Sequence, residues 1–461
     1  MSFGQENFGA AQLGDKRRTD RLVKTADLIV QHPGGTLPDK LQSPAALEGL
    51  YRLAHQKKVT HAAVLQPHRD QTFQRMRNYS GTVLTIHDAT EFDYRGKKML
   101  TKLGQIGNGK RRGYISHNTL AVGFETEEVF GLLNQILFRR PRAPKKESRA
   151  NRRQRKTRES RLWKRGSAAL GPRPSDQLWV DVCDRGADVF EYLDHKHQRG
   201  ECYVVRAAQD RCITVEKEGQ TERSKLFAYA YALPALGHRD VSVPARNGQP
   251  ARKATVRVAA GALRLLPPRQ PRGEHRREPL DVWVVLVQEI DAPAGVEPLE
   301  WVLLTNVAVN TWEESCARID WYRCRWIIEE FHKAIKTGCD IEALGFHKEE
   351  RLEPVIALLS VVGVFLLQLR NWSRREDAKQ RPAREVVPLL WVQVLSQWRH
   401  QRTCPDWSVH DFFYALARLG GHQNRKCDGM PGWITIWRGW TKLQAMIAGA
   451  SAGEAARCAE N

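Results

Sequence analysis

A nearly continuous apolar run from Val355 to Leu369 limits the folds that this chain can adopt. The run is 15 residues long and is interrupted by Ser360, Gly363 and Gln368. A helix that crosses a membrane needs roughly 20 apolar residues. We therefore expect a helix that is buried in a large core. A chain of 461 residues is long enough for such a core and for about two to four domains.

The charge of the chain indicates a polyanionic partner. The formal net charge is +21 and the pI is about 9.8. Nucleic acid is the commonest such partner. A membrane surface is the main alternative, but the basic segments lack the long amphipathic pattern of a membrane-surface helix.

The cysteines and the N-terminus favour a cytoplasmic location. The nine cysteines are scattered, with no CxxC pair and no spacing typical of a zinc site, which indicates free thiols in a reducing compartment. The first residues, MSFGQENFGAAQLGDKRR, are polar and lack the apolar core of a secretory signal.

Residues 1 to about 75 have a helical pattern. Asp15 is placed to cap a helix through Val30, and Ser43-Pro44 is a typical start for a second helix. A third helix is predicted from about Thr60 to Met76. The first helix is basic at Lys16, Arg17, Arg18, Arg21 and Lys24.

Residues from about 76 to 375 have a mixed α/β pattern. The helices predicted there run from about Ala187 to Gln198 and from about Thr311 to Thr337, and the second stops at Gly338. The segment from about 207 to 300 is β-rich, and helices return after about 375. The predicted strands are Thr82–His87, Asn118–Phe124, Val129–Phe138, Leu178–Asp184, Tyr203–Arg206, Asp240–Val243, Ala254–Leu266, Val282–Ile290 and Trp301–Asn306.

Residues 139 to 165 are about half lysine and arginine. Such a run is usually a solvated loop. A long basic loop inside a domain is also suited to binding phosphates. The sequence favours neither interpretation.

Three acidic residues lie where metal chemistry is expected. Asp88 follows one predicted strand, Asp184 ends another, and Glu329 lies within the long helix. Open α/β sheets usually place their sites just beyond strand ends. Carboxylates suit Mg²⁺ or Mn²⁺, and two such ions about 3.5–4 Å apart can activate a water or 3′-hydroxyl against a phosphodiester. The chain has 52 acidic residues, so spacing alone also permits a solvated role for each of the three.

The predicted helix around Glu329 carries a polar face. Tyr322, Arg325, Glu329 and Lys336 are separated by three, four and seven residues, which places them on one side with Lys333. A solvated charged stripe would have the same spacing. In a catalytic interpretation Glu329 binds metal, the three cations meet phosphates, and the Tyr322 hydroxyl bonds a phosphate oxygen or the strand end.

The string Y-(2)-R-(3)-E-(6)-K, formed by these residues, resembles the signature of the bacterial cut-and-paste transposases of the IS-four family. Further segments resemble the same family in the same order along the chain. They are LGDKRRTDRLV at 13–23, HDAT at 87–90, VCDRGAD at 182–188, RWIIEEFHKAIKTG at 325–338, LLQLR at 366–370 and RLGG at 418–421. Gly186 is a departure, because close relatives often carry an acid there.

The resemblance implies a ribonuclease-H-like catalytic core with an inserted β-rich domain, flanked by helical N- and C-terminal regions. The corresponding divisions are 1–75, 76–375 with the insertion at about 207–300, and 376–461. It implies that Asp88, Asp184 and Glu329 bind Mg²⁺ or Mn²⁺, two ions in all. Trp301 and Trp326 align with two tryptophans that handle a flipped base, although Trp301 alone could be a core residue. We also expect Arg206 to contact DNA.

The resemblance therefore implies a transposase that binds terminal inverted repeats, pairs two ends as a dimer, cleaves through a hairpin intermediate and joins the 3′ ends to target DNA. Arg17, Arg18 and Arg21 would bind the ends, unless they form a solvated helix face. The helices after about 375 would supply the dimer contact. Such a protein is expected in the bacterial cytoplasm with the nucleoid. A catalytically silent DNA-binding relative and a nuclease without end specificity remain alternatives.

Overall fold

The structure is a computed structural model. It describes the chain apart from residues 1, 33, 142–146, 149–150, 152–153, 156, 244–251, 271–273, 424, 426–427 and 461, and apart from the side chains of 451 and 453–460. The protein is mixed α/β, as the sequence predicts. Part of the basic run at 139–165 lies outside the described residues, so neither interpretation of that run is tested.

The N-terminal region consists of short helices. Asp15 caps the second through its carboxylate, which accepts from Arg17 N at 2.9 Å, and Ser43 and Thr60 cap the fourth and fifth. The three predicted helices are confirmed; the two others have only six and five residues, too few for a periodic pattern. The helices are α1 (Phe3–Phe8), α2 (Lys16–Gln31), α3 (Leu37–Leu41), α4 (Pro44–Ala54) and α5 (His61–Arg77).

The next segment forms the centre of a sheet. Neighbouring strands follow the order β4-β3-β1-β5-β6, in which β1, β5 and β6 are parallel and β3 is antiparallel to β1 and β4. The strands are β1 (Val83–Asp93), β2 (Gly104–Gln105), β3 (Arg112–Gly123), β4 (Glu128–Phe138), β5 (Trp179–Cys183) and β6 (Cys202–Arg206). Two helices, α6 (Leu162–Ala168) and α7 (Phe190–Gln198), accompany them.

Strand β1 is longer than the sequence predicts. The prediction ended the strand at His87, so that Asp88 would follow it, and this is wrong. Strand β3 pairs with β1 along its whole length, and Asp88 lies opposite Asn118 within that ladder. Polar residues beyond His87 hid the continuation, because pairing on one edge maintains a strand whose side chains are only half-buried.

The segment from 207 to 300 is β-rich, as predicted. Its strands extend the same sheet, because β12 pairs with β6, and within the described residues the sheet has 12 strands. The predicted strands are confirmed with small shifts, whereas β7, β8 and α8 were not predicted. The elements are β7 (Cys212–Lys217), β8 (Gln220–Lys225), α8 (Leu226–Ala232), β9 (Gly237–Val243), β10 (Arg252–Leu265), β11 (Leu280–Glu289) and β12 (Glu300–Thr305).

The rest of the chain is helical. Its elements are α9 (Trp312–Arg323), α10 (Trp326–Lys333), a π-helical turn at Ala334–Gly338, α11 (Glu349–Arg374), α12 (Leu389–His400), α13 (Val409–Leu419) and α14 (Trp433–Glu460). The prediction of one helix from Thr311 to Thr337 is wrong. The helix breaks at Cys324 and Arg325, where Arg325 N and Ile328 N bond to carbonyls three residues back, at 3.0 and 3.2 Å. No glycine or proline marks the break.

Helix α11 contains the apolar run and is a core element. It is 26 residues long and packs on α5, β4 and the C-terminal helices. Among the described residues it alone is long and apolar enough to cross a membrane, but 83% of its most apolar window is buried inside the protein. The prediction of a buried helix is confirmed.

Helices α13 and α14 cross at two glycines, and this crossing generates a test of the fold. A Cβ atom at Gly439 would lie 1.8 Å from the carbonyl oxygen of Leu416, whereas nothing lies within 4 Å of such an atom at Gly449 on the same helix. We expect Gly439→Ala to lower the free energy of unfolding by about 1–3 kcal/mol, measured by urea unfolding. The control Gly449→Ala should be neutral or stabilising, because alanine favours a helix. Equal behaviour of the two variants would contradict the close crossing.

Candidate functional site

Two of the three predicted carboxylates lie side by side where the parallel pairing of β1 with β5 ends, a place that we call the carboxylate edge. The parallel ladder between β1 and β5 ends with His87 opposite Cys183. Asp88 and Asp184 are the next residues of the two strands, so they occupy the edge where open sheets place their sites. Asp184 leaves β5 into a short turn, and its carboxylate accepts from Gly186 N at 2.7 Å.

Arg325 joins the third carboxylate to this edge. Its Nη1 lies 3.2 Å from Asp88 Oδ2, and its Nη2 forms an ion pair with Glu329 on α10. The ion pair with Asp88 is largely screened from solvent, since the Arg325 side chain is 18% exposed and that of Asp88 is 15% exposed, whereas the Glu329 side chain is 31% exposed. Arg325 therefore bridges Asp88 on β1 and Glu329 on α10.

The carboxylates share one electrostatic environment. Burial raises the pKa of Asp88, the charges of Asp184 and, to a smaller extent, Glu329 add to the rise, and Arg325 opposes it, so that the pKa is about 7. A carboxyl group resists ionisation in this way when burial and neighbouring negative charge are not fully compensated. A further positive charge beside Asp88, in addition to that of Arg325, would favour the ionised form of Asp88.

The side chains at this edge do not form a closed metal-binding set. Among the described residues, no three histidine, cysteine, aspartate or glutamate side chains converge as metal ligands do. The Arg325 guanidinium forms ion pairs with both Asp88 and Glu329. The donors are nonetheless carboxylate oxygens, which suit Mg²⁺ or Mn²⁺, and the raised pKa of Asp88 fits a site that gains from a bound cation.

A large cleft opens beside Glu329. It has a volume of about 1540 Å³ and is rich in arginine. It includes most of the residues predicted to contact DNA on this side of the molecule. The predicted residues in its wall are Arg206, Trp301, Tyr322, Arg325 and Trp326, and further cations there are Arg185, Arg239, Arg252, Lys253, Arg323, Arg370 and Arg374.

The aromatic residues of the cleft contact its cations. Trp301 packs edge-on against Tyr322, with 5.1 Å between ring centres, and Tyr322 is buried. Arg206 lies next to Tyr322 and donates to the carbonyl oxygen of Glu300 at 2.6 Å. Trp326 is half-buried, and the Lys333 ammonium lies 5.4 Å from its ring centre. Both tryptophans are therefore accessible from the cleft.

Lys336 lies apart from this cleft. Its Nζ donates to the carbonyl oxygen of Glu91 on β1 at 2.9 Å and lies 3.5 Å from Glu342. Lys336 belongs to the π-helical turn that follows α10. Of the five polar residues predicted to share one helix face, Tyr322, Arg325 and Glu329 line the cleft, Arg325 and Lys336 contact β1, and Lys333 is exposed.

The basic residues of α2 differ in exposure. The Arg17 side chain is 94% exposed, and Arg21 is exposed beside Gly49 of α4. Arg18 is half-buried, and its Nη1 donates to the carbonyl oxygen of Leu13 at 3.0 Å. Arg17 and Arg21 are therefore the residues of this predicted set that present their charge outward.

Sequence reasoning missed a buried ionic network beneath the carboxylate edge. Asp181 is fully buried and accepts from Lys196 at 2.9 Å and Arg173 at 2.8 Å, and Lys196 also contacts Glu201 at 2.7 Å. Burial would raise the pKa of Asp181, but Lys196 and Arg173 hold it well below its ordinary value. The available signal was the polar residue Asp181 within an otherwise apolar strand.

A second missed contact lies beside Asp88. Asn118, its partner on β3, donates to Nε2 of the buried His332 on α10 at 3.1 Å. Burial lowers the pKa of His332 to about 3, with Lys336 and Arg325 adding to the effect, so the ring is neutral and can accept. This contact ties α10 to the strand that neighbours β1.

The N-terminal helices match a known family. Residues 1–59 fit the family model described as transposase DNA-binding. This match supports a transposase. It supports DNA as the partner of the N-terminal region and suggests a DNA-processing enzyme. The helices that carry Arg17 and Arg21 lie inside the matched segment.

The raised pKa of Asp88 predicts how stability depends on pH. Its folded value of about 7 exceeds its ordinary value of 3.8, so the folded state retains a proton between these pH values. The stability that Asp88 contributes is present at low pH and is lost as pH rises through about 7. Urea unfolding in EDTA should therefore show Asp88→Asn gaining stability relative to the parent between about pH 4 and pH 8. If the free energies of unfolding of Asp88→Asn and the parent change in parallel with pH, the raised pKa of Asp88 is contradicted.

The buried network predicts a large cost for removing its central cation. Lys196→Met leaves Asp181 and Glu201 buried without their shared partner. We expect the free energy of unfolding to fall by about 3–5 kcal/mol, measured by urea unfolding. Lys225→Met, at an exposed lysine of β8, is the matched control and should change it little. A small effect of Lys196→Met would show that the network contributes little to the fold.

Proposed function

We propose that this protein is a DDE transposase of the IS-four type, with Asp88, Asp184 and Glu329 as its metal-binding carboxylates. The observation that carries the proposal is the adjacency of Asp88 and Asp184 at the end of a parallel strand pair, with Glu329 joined to them through Arg325. The transposase DNA-binding match of residues 1–59 supports it independently.

The sheet supports a ribonuclease-H-like catalytic core. In its central order β4-β3-β1-β5-β6, two carboxylates lie where the parallel pairing of the neighbouring strands β1 and β5 ends. The β-rich segment enters the chain between Asp184 and Glu329, where the resemblance places an insertion. We accordingly assign residues 1–75 to end binding, 76–375 to catalysis and 376–461 to dimerisation.

The residues of this chain have separate tasks in the proposed reaction. Two Mg²⁺ or Mn²⁺ ions bound at the carboxylates would activate an attacking water or 3′-hydroxyl and stabilise the leaving oxygen. Asp88, Asp184 and Glu329 hold that site at the rigid edge of the sheet. Arg325 pairs with both Asp88 and Glu329 and lies in the cleft wall, from which its fork can meet a phosphate.

The cleft is the proposed path of the DNA end. Its cations suit a phosphate backbone, and the half-buried rings of Trp301 and Trp326 in its wall suit stacking of an extruded base during formation of a hairpin. Lys333 extends the basic surface beside Trp326. The proposal also includes pairing of two ends by a dimer and joining of the 3′ ends to target DNA. We place this activity in the bacterial cytoplasm at the nucleoid.

One observation favours a second candidate, a DNA-binding relative that does not cut. Arg325 forms ion pairs with both Asp88 and Glu329, and the described side chains form no closed set of metal ligands. If this arrangement persisted on DNA, the protein would bind ends and block their use by an active copy. Cleavage assays distinguish the two candidates, whereas binding assays do not.

The test uses a plasmid that carries the gene with its own flanking DNA, incubated with protein and Mg²⁺. We expect the parent to cut at the flanks, and Asp88→Asn, Asp184→Asn and Glu329→Gln each to reduce cutting by at least about a thousandfold. Each variant should retain end binding in gel-shift assays. Glu297→Gln removes a carboxylate from another part of the cleft wall and should cut like the parent.

Cutting by any of the three variants at the parental rate would remove that residue from the proposal. An uncut plasmid with the parent, under conditions of normal binding, would favour the non-cutting relative. Cuts at random positions would favour a nuclease without end specificity.

A further inference from the structure

The segment 94–112, which connects β1 to β3 and includes the first residue of β3, is strongly basic. It contains seven lysines and arginines and no aspartate or glutamate. We call it the basic connection. None of its cations belongs to the carboxylate edge, the cleft or α2. None of the family-like segments named above lies within it. The seven cations are Arg95, Lys97, Lys98, Lys102, Lys110, Arg111 and Arg112.

The basic connection has fixed anchors. Tyr94 is buried and donates from its hydroxyl to the carbonyl oxygen of Ile341 at 2.9 Å, and Leu100 and Ile106 are buried as well. Gly107 N donates to Glu91 at 2.6 Å. Its apolar residues therefore hold the backbone against the protein while the charged residues lie outside. A solvated loop without a role would not need this ordering.

The surrounding acids neutralise only part of this charge. Arg95 pairs with Asp93 at 3.2 Å, Lys102 with Glu350 at 2.7 Å, and Arg111 with Glu91 at 3.7 Å. The other cations make no ion pair with any residue that the structure describes. Of these, Lys98, Lys110 and Arg112 are exposed, and Lys97 is half-buried. The surface therefore keeps a net positive charge suited to a polyanion.

The basic connection lies between the N-terminal region and the carboxylate edge. Lys97 Nζ donates to the carbonyl oxygen of Ala343 at 3.2 Å, and the nearby Phe346 packs against Tyr51 of α4, with 5.5 Å between ring centres. The basic connection begins directly after Asp93. Asp93 lies five residues beyond Asp88 on β1, which places it about 17 Å from Asp88. That length corresponds to about five steps along one strand of B-DNA.

From this placement we infer that the basic connection binds the phosphate backbone of the transposon-end duplex between its N-terminal contact and the scissile position. The inference rests on the proposed function. Continuity with α4 favours the end duplex over target DNA, because the same molecule must reach from the N-terminal helices to Asp88. Lys98, Lys110 and Arg112 supply the contacts.

The test is equilibrium binding in EDTA, which requires no cleavage. Two fluorescent 40-base-pair duplexes are compared, one taken from the DNA that borders the gene and one of unrelated sequence. The test variant is Lys98→Ala/Lys110→Ala/Arg112→Ala. The matched control, Lys217→Ala/Arg223→Ala/Lys225→Ala, removes the same charge from β7 and β8, at the opposite end of the sheet.

We expect the test variant to bind the bordering duplex about tenfold more weakly than the parent, with the log–log salt slope reduced by about 2.7, since each phosphate contact contributes roughly 0.9. The control should match the parent, and all melting temperatures should agree because the substituted residues are exposed.

An equal loss on both duplexes would overturn the assignment to the transposon end, since the contact would then be to DNA of any sequence. If the test variant binds both duplexes with the affinity and salt slope of the parent, the inference is wrong. Failure of the parent itself to prefer the bordering duplex would count against the proposed function instead.

Discussion

The parallel pairing of β1 with β5 is the constraint on which the candidate site depends. Because the ladder ends at His87 and Cys183, the next residue of each strand is an aspartate at the same edge. A one-residue slip of either strand would turn its aspartate toward the opposite face. The ion pairs of Arg325 then add Glu329 to this edge, so the site combines two strands and one helix.

Different interactions hold the two faces of this strand pair. On one face, Leu84, Ile86, Val180 and Val182 belong to the apolar core that α11 completes. On the other face, Asp181 binds Lys196 and Arg173 in a buried ionic network beside α7. The apolar face fixes the register of the two strands, and the paired buried charges favour the same arrangement. We infer that the network positions the strand ends that carry the site.

Local patterns predicted much of the fold. Helix caps such as Asp15 and Ser43, the buried helix α11 and most strands follow from short-range signals. The continuation of β1 past Asp88, the break at Arg325 and the Asn118–His332 contact depend on partners distant in sequence, which no local pattern encodes. Glu329 and Arg325 were predicted to share one helix face, but the ion pair of Arg325 with Asp88 required the fold.

We propose that Asp184 and its neighbours bind divalent ions for the cleavage of DNA, and a change of ligand tests this role. Asp184→Cys replaces a hard oxygen ligand with a softer thiolate, which accepts Mn²⁺ better than Mg²⁺. With the plasmid substrate, we expect the parent to cut with either ion and Asp184→Cys to cut only when Mn²⁺ replaces Mg²⁺. Full activity of Asp184→Cys with Mg²⁺ would contradict direct binding of the metal by this residue.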